Sequence, residues 1–185
     1  DHPINQYKEL FRDYKILDYK NFISDNKNKQ SNIAATLLKI HERKTSKGNS
    51  YAVIKLTDLS SVFELFIFSE ILELNRNILL EGNSLLINLN KNLSNDENRF
   101  KRVNVNKITL IKEIFNKPIS NVELFLDDQN KISNLNLNEI DGKTSVTLKY
   151  RDNLNEYVFK LKNRRKIDRK TLDLIKKEGI LTQIN

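Results

Sequence analysis

The side chains that most often carry out chemistry are scarce in this sequence. Among 185 residues there are two histidines and no cysteine. Thiolate metal sites and thiol nucleophiles are therefore excluded, and a zinc site or a serine hydrolase triad has almost no histidine to build from. His41 ends a predicted strand, where a lone histidine is more often structural, and Asp127–Asp128 is typical of a turn rather than a metal site. We expect no catalytic residue, no metal and no cofactor in this chain.

Positive charge is the second chemical feature. Basic residues outnumber acidic ones by 32 to 24, which gives a net charge of +8 at pH 7. The excess is spread along the chain, and the abundance of Asn, Lys and Ile suggests an A+T-rich bacterial genome that raises the lysine count by itself. Such a charge favours weak attraction to polyanions. A specific site needs cations and aromatic side chains on one surface.

A hairpin loop combines cations with a glycine. Arg43, Lys44 and Lys47 surround the predicted turn at Gly48. Cations there can neutralise phosphates, and glycine lets a ligand approach the backbone closely. We therefore predict phosphate contacts from this loop; the alternative is a solvated hairpin tip in a lysine-rich protein.

The strands that flank this loop alternate between apolar and exposed positions. If Ile54 and Leu65 point inward, a period of two turns Tyr51, Lys55 and Phe66 outward. A ring beside a cation on one sheet face suits base stacking, and each stacked base contributes ~1–3 kcal/mol. The alternative for Phe66 is packing under a loop or against the following domain.

Two further basic groups are candidates. Arg99, Lys101 and Arg102 are predicted to form the opposite side of the same DNA groove, although acidic residues nearby weaken this prediction. The densest basic cluster is near the C-terminus and contains Arg164, Arg165 and Arg169. Contact with DNA, contact with an acidic protein partner and a structural role near the last helix all remain open for this cluster.

Apolar spacing predicts a helix at residues 4–14 and another at 69–80, with Ser69 as the N-cap of the second and Asp168 as the N-cap of the last helix. Together the predicted elements give a β-rich α+β fold. The first elements follow the order strand, strand, strand, helix, strand, strand, which is that of a five-stranded OB-fold Greek-key barrel. A small α+β domain of order β-α-β-β-α-β follows it. The predicted boundaries are 1–29 for a short helical lead-in and linker, 30–115 for an OB-fold nucleic-acid-binding domain, and 116–185 for a C-terminal α+β protein-interaction domain.

Membrane and export signals are not found in the sequence. No apolar run approaches the roughly 20 residues of a membrane helix, and no signal-peptide pattern opens the chain. We therefore expect a cytoplasmic protein with no membrane partner. Because the chain starts at Asp1 and contains no methionine, we also expect it to be a piece of a longer protein.

Several segments resemble the C-terminal region of the bacterial replicative DNA polymerase III alpha subunit. DHPINQY (1–7) looks like the GHP-x-x-x-Y segment that closes the helix-hairpin-helix region of that family, with Asp1 replacing Gly. RKTSKGNSYAVIKLTD (43–58) is similar to its R-x-T-K-x-G-N stretch, and VFELFIF (62–68) to its E-V-x-x-F strand. The final stretch, from about residue 121, resembles its C-terminal domain. One departure is Leu59–Ser61, where the family usually closes a turn with Gly.

The resemblance implies a role in DNA replication without chemistry. In that family the OB domain is thought to hold single-stranded template DNA, and the C-terminal domain binds the tau subunit of the clamp loader, which joins it to the rest of the replicase. The catalytic parts lie upstream. The resemblance thus implies that this fragment is not an enzyme, although its parent would be a DNA-directed DNA polymerase, a transferase.

Two alternatives stay open at this stage. One is an OB-fold RNA-binding domain of a tRNA synthetase-like protein, which would prefer folded RNA. The other is a protein-interaction scaffold whose barrel face is covered and binds no nucleic acid.

Overall fold

The computed structural model describes residues 1–92, 102–133, 135 and 137–184. The fold is β-rich α+β, as predicted, with largely antiparallel sheets and short helices. The chain divides into an N-terminal unit, Asp1–Asn116, and a C-terminal unit, Lys117–Asn185. None of the helices in the described part of the chain is long and apolar enough to cross a bilayer.

The N-terminal unit is built on one sheet of six strands. Its elements are a 3-10 helix Pro3–Tyr7, α1 Glu9–Asp13, β1 Ile16–Leu17, α2 Tyr19–Ser24, β2 Gln30–Lys44, β3 Ser50–Thr57, β4 Val62–Phe68, α3 Ser69–Asn75, β5 Ser84–Lys91, β6 Val103–Leu110 and α4 Ile111–Asn116. The strand order is β4-β3-β2-β5-β6, all antiparallel, with β1 parallel to β2.

The predicted five-stranded OB-fold barrel is not confirmed. The outer strands β4 and β6 approach each other, with Cα atoms within 8 Å. Among the described residues, however, they share no hydrogen-bonded ladder, so the sheet curls without closing.

Alternation along β3 and β4 produces the core of this sheet. Ile54, Leu56, Phe63, Leu65 and Ile67 are all buried on one side. Because successive side chains of a strand point to opposite faces, the residues between them are turned outward. The predicted assignment of the two faces is therefore confirmed for these strands.

A β-bulge changes the alternation within β2. The register against β3 shifts between Leu37 and Lys39, which leaves Leu38 as the extra residue. Before the bulge, odd-numbered residues such as Leu37 face the core. After it, even-numbered residues such as Ile40, which pairs with the buried Ile54, face the core. An extra residue reverses the parity of every later position. The bulge therefore turns the odd-numbered residues of the last part of β2 to the outer face.

The segment before β2 packs into the N-terminal unit. Phe22 is fully buried in the main core, while Ile4 and Leu10 form a second cluster with Ala34. The buried Lys91 donates to the carbonyls of Phe22 and Asp25 and lies 4.4 Å from the Phe22 ring centroid. Residues 1–29, predicted as a lead-in and linker, are thus held by core contacts and by a lysine.

The helices are shorter than predicted. The helix that follows β4 ends at Asn75, and its N-cap is Phe68, so Ser69 is the first helical residue and not the cap. The predicted helix at residues 4–14 is divided into a 3-10 turn and α1. Local apolar spacing indicated both helices, but it carried no information about where their hydrogen bonding ends.

The C-terminal unit has the predicted order of elements. They are β7 Asn121–Leu126, α5 Asn130–Ser133, β8 Ser145–Arg151, β9 Glu156–Lys160, α6 Arg169–Lys177 and β10 Leu181–Ile184. The sheet order is β10-β7-β8-β9, with β7 and β8 parallel. Leu172 and Ile175 of α6 belong to the core of this unit. The predicted cap is confirmed, because Asp168 accepts from the Thr171 N–H at 2.7 Å.

Candidate nucleic-acid interface

The outer face of β2, β3 and β4 places three rows of side chains in register. Strand pairing sets these residues directly opposite one another, and cross-strand neighbours of this kind are close enough to act together. We call this surface the aromatic face, and its rows are Arg43–Tyr51–Phe68, His41–Val53–Phe66 and Lys39–Lys55–Glu64.

The rings of this face lie side by side. Tyr51 and Phe66 stack with ring centroids 6.4 Å apart and planes 27° from parallel. Phe66 is 53% exposed and Phe68 52% exposed, and Tyr51 is half-buried. Phe66 is therefore outside the core of the N-terminal unit, and no described loop of that unit covers it. Exposed rings at this spacing offer flat apolar surface to a stacking partner.

Cations flank the rings on the same face. Lys39, Arg43 and Lys55 are exposed. In the part of the chain that the structure describes, none of the three forms an ion pair. Glu64 lies opposite Lys55 and is the one carboxylate of the nine residues. The surface thus presents unpaired positive charge next to stacked aromatic rings, which suits a ligand with phosphates and bases.

The hairpin that joins β2 to β3 is a tight turn. The Thr45 N–H donates to the Asn49 carbonyl at 2.9 Å, and the Gly48 N–H donates to the Thr45 carbonyl at 2.9 Å. Gly48 has a φ of +82°, a conformation that side-chain-bearing residues rarely adopt. The turn itself therefore accounts for the glycine, while Lys44 and Lys47 are exposed beside it. The prediction that Gly48 lets a phosphate approach the backbone stays a prediction.

An ion network holds the end of β2 from the opposite side. Glu42 points away from the aromatic face and accepts from both terminal nitrogens of the Arg76 guanidinium. Arg76 also binds Glu73, with its Nε at 3.0 Å and its Nη2 at 2.8 Å from the carboxylate oxygens. Hydrogen bonds from Arg76 lower the pKa of Glu42 and of Glu73. These two carboxylates are thus neutralised away from the candidate interface.

The turn between β3 and β4 is held by a buried carboxylate. Asp58 accepts from the backbone N–H groups of Ser60 and Ser61, both at 2.8 Å, and from the Tyr19 N–H at 2.6 Å. Tyr19 stacks on Phe63 with centroids 3.9 Å apart, and burial raises the pKa of Tyr19. Serine N–H groups thus close this turn where the resembled family usually has glycine.

Of the remaining predicted site residues, Arg99 and Lys101 lie outside the described residues, and Arg102 is exposed immediately before β6. In the C-terminal cluster, Arg165 pairs with Glu139 at 3.2 Å, and Arg164 donates to a backbone carbonyl, that of Lys143, at 3.2 Å. These contacts favour the structural interpretation of Arg164 and Arg165.

Close backbone packing supports the same interpretation of the C-terminal cluster. A Cβ at Gly142 would lie 2.3 Å from the Arg164 carbonyl oxygen, and Thr144 and Arg165 exchange backbone hydrogen bonds. Arg169 is half-buried at the start of α6. Glycine is therefore required at residue 142 because this arginine segment runs against it.

The acidic pair forms the predicted turn. Asp128 accepts from the Asn130 N–H at 2.9 Å, and Asp127 pairs with Lys131 at 2.7 Å, which lowers the pKa of Asp127. Over the described residues, no group of three or more histidines or carboxylates is placed to hold a metal ion.

Sequence reasoning missed Phe68 and Lys39 of the aromatic face and favoured a structural role for His41. Phe68 could have been found, because it lies two positions after Phe66 on the same strand. Lys39 and His41 could not have been assigned from periodicity, because the bulge at Leu38 reverses their direction.

No protein-family model matches this chain, and comparison with curated proteins finds no match either. The resemblance to the polymerase subunit therefore stays a hypothesis supported by short motifs and by the order of elements.

Proposed function

We propose that the N-terminal unit is an OB-type module that binds single-stranded DNA. The observation that carries this proposal is the register of the aromatic face, which places stacked rings beside cations with no ion-pair partner among the described residues. OB folds are partly open barrels that bind oligonucleotides on their second and third strands, the positions that β3 and β4 take here. The helix α3 between β4 and β5 fits the same order.

The proposed wider role is that of the C-terminal region of a replicative DNA polymerase III alpha subunit. In this role the N-terminal unit holds template DNA, and the C-terminal unit docks the tau subunit of the clamp loader, in the bacterial cytoplasm. The motifs around DHPINQY and TSKGN, together with the observed order of elements, support it. The fragment would contribute binding and no catalysis.

Oligo-dT titration at several salt concentrations tests the DNA-binding proposal. We expect weak, sequence-tolerant binding whose log affinity falls with log salt by roughly 0.7 per phosphate contacted. Arg43→Ala with Lys47→Ala should reduce that slope by about one or more. The matched control is Lys20→Ala with Lys112→Ala, two exposed cations of the same unit that lie off the aromatic face.

Two outcomes would count against the proposal. If the slope of log affinity against log salt is unchanged in the Arg43 and Lys47 variant, the hairpin makes no phosphate contact. Preference for a folded RNA hairpin over oligo-dT at equal salt would favour the tRNA synthetase-like alternative. Calorimetric titration of the full chain with purified tau subunit tests the proposed docking of tau by the C-terminal unit. Loss of DNA binding does not affect that measurement.

A further inference from the structure

The strand β9 lies at one edge of the C-terminal sheet. It lies last in the order β10-β7-β8-β9, and among the described residues no strand pairs with its outer side. All five residues of β9 are exposed, with Tyr157 at 41%, Val158 at 58% and Phe159 at 52%. Natural sheets often blunt such edges with charged side chains, prolines, bulges or covering loops, and β9 has charged residues only at its two ends, Glu156 and Lys160. An apolar edge left open is therefore a candidate interaction surface.

Backbone hydrogen bonds at both ends of β9 show which groups point outward. The Leu161 N–H donates to the Val146 carbonyl and the Asp152 N–H to the Asn155 carbonyl, each one residue beyond an end of the ladder shared with β8 and in register with it. Because antiparallel strands alternate between bonded and non-bonded pairs, the odd-numbered residues of β9 use their N–H and C=O groups toward β8. The even-numbered residues Glu156, Val158 and Lys160 therefore direct theirs to the free edge.

The sequence of β9 is complementary to itself when two copies run antiparallel. With Val158 opposite Val158, Glu156 of each copy lies opposite Lys160 of the other, and Tyr157 lies opposite Phe159. This register pairs the outward N–H and C=O groups of the even-numbered residues with each other. Opposite charges and aromatic pairs facing across strands are stabilising, and a two-fold axis requires this kind of self-complementary patch. We propose that the chain forms a symmetric homodimer through β9.

The neighbouring side chains support a second copy at this edge. Arg151 lies 3.1 Å from Glu156 within one copy, so Glu156 would stand between two cations in the dimer. Tyr150 stacks on Tyr157 with centroids 6.1 Å apart, beside a groove of about 510 Å³ that Phe159 also lines. The aromatic side chains of the second copy would extend this stack across the dimer axis.

The proposed interface is small. A ladder of five residues a side buries less than the standard interface of about 1,600 Å², so we expect a dissociation constant on the order of 10 μM. The proposal is independent of the proposed DNA binding, because it uses the other unit of the chain.

Sedimentation velocity of the full chain, from about 1 μM to about 500 μM, brackets that value and tests the proposal. The wild type should shift from monomer to dimer. Glu156→Lys and Lys160→Glu should each weaken association by about tenfold, because each places like charges opposite at both symmetric contacts. The double variant should recover most of the association, since it again places opposite charges at both contacts between the copies and loses only the exposed pair with Arg151 within each copy.

A chain that stays monomeric at the highest concentration would overturn the proposal and leave β9 available to a strand from a different protein. If both single variants weaken association and the double variant does not recover it, the proposed register is wrong.

Cysteine trapping gives a second measurement. Facing Val158 residues would have Cα atoms about 5.5 Å apart, within the range of roughly 4.4–6.8 Å that a disulfide spans. The chain contains no cysteine, so Val158→Cys should give a covalent dimer on mild oxidation. Leu154→Cys, 91% exposed in the adjoining turn, is the matched control. Equal cross-linking of the two variants would contradict the proposed pairing.

Discussion

Two surfaces of this chain expose aromatic rings, and what surrounds the rings differs between them. On the aromatic face, the rings are flanked by cations that have no ion-pair partner among the described residues. On β9, Tyr157 and Phe159 lie between a glutamate and a lysine, and no described strand pairs with the outer backbone groups. Rings beside unpaired positive charge suit bases on a phosphate chain, whereas rings beside a charge-balanced free edge suit another strand. Exposed aromatic area alone would not have separated the two.

The largest expected effect comes from removing the carboxylate that closes the β3–β4 turn. Asp58→Ala deletes the acceptor for backbone donors of two segments, and a lost hydrogen bond to a charged group costs about 1.5–3 kcal/mol. We expect the free energy of unfolding of the N-terminal unit to fall by about 3 kcal/mol or more. Native-state hydrogen exchange measures the two units separately.

The matched control for that change lies in the other unit. Asp152 accepts from the Leu154 and Asn155 N–H groups at 2.9 and 2.7 Å, but in a turn at the surface. Asp152→Ala should destabilise only the C-terminal unit and by clearly less, because water replaces the lost hydrogen bonds of an exposed turn. Equal losses in both variants would show that burial of Asp58 is not what makes it important.

The aromatic rings provide the next test. Phe66→Ala should weaken oligo-dT binding by about 1–3 kcal/mol, or roughly 5- to 150-fold, and leave the salt slope unchanged, because stacking neutralises no phosphate. Phe159→Ala removes a ring of nearly the same exposure, 52% against 53%, and should leave DNA binding unchanged. Equal weakening by the two substitutions would erase the distinction between the surfaces.

Lowering the pH should weaken the ion network of Arg76 at the end of β2. The expected loss of stability is smaller than for the changes above. Because hydrogen bonds from Arg76 lower the pKa of Glu42 and Glu73 in the folded chain, their contribution to stability is present above the ordinary glutamate value of about 4.3 and is lost as the pH falls below it. Arg76→Ala should flatten this part of the stability curve in denaturant titrations between about pH 5 and pH 2. If stability falls with pH in the variant as it does in the wild type, other carboxylates determine the acid dependence.

Much of the fold follows from patterns that depend on near neighbours in the sequence. The alternation of apolar and polar residues predicted which sides of β3 and β4 are buried. Asp168, as an N-cap, predicted where α6 begins. The outward direction of Tyr51 and Phe66 followed from the same period. These features are encoded locally, so a single sequence is enough to predict them.

Features that depend on distant residues could not be predicted. The direction of Lys39 and His41 depends on where β2 slips against β3, and the burial of Phe22 depends on contacts with strands far along the chain. Arg165 looked like a free cation because its ion partner Glu139 and its backbone partner Thr144 lie in another segment. Charge clusters in a sequence therefore overstate the positive charge that is free to bind a ligand.

Photo-crosslinking tests most directly where bases lie on this chain. Oligo-dT carrying 5-iododeoxyuridine should be cross-linked at low salt, and the attached peptides identified by mass spectrometry. Our account predicts attachment within β3 and β4, at Tyr51, Phe66 or Phe68. Attachment confined to the C-terminal unit, with β3 and β4 unlabelled, would contradict it.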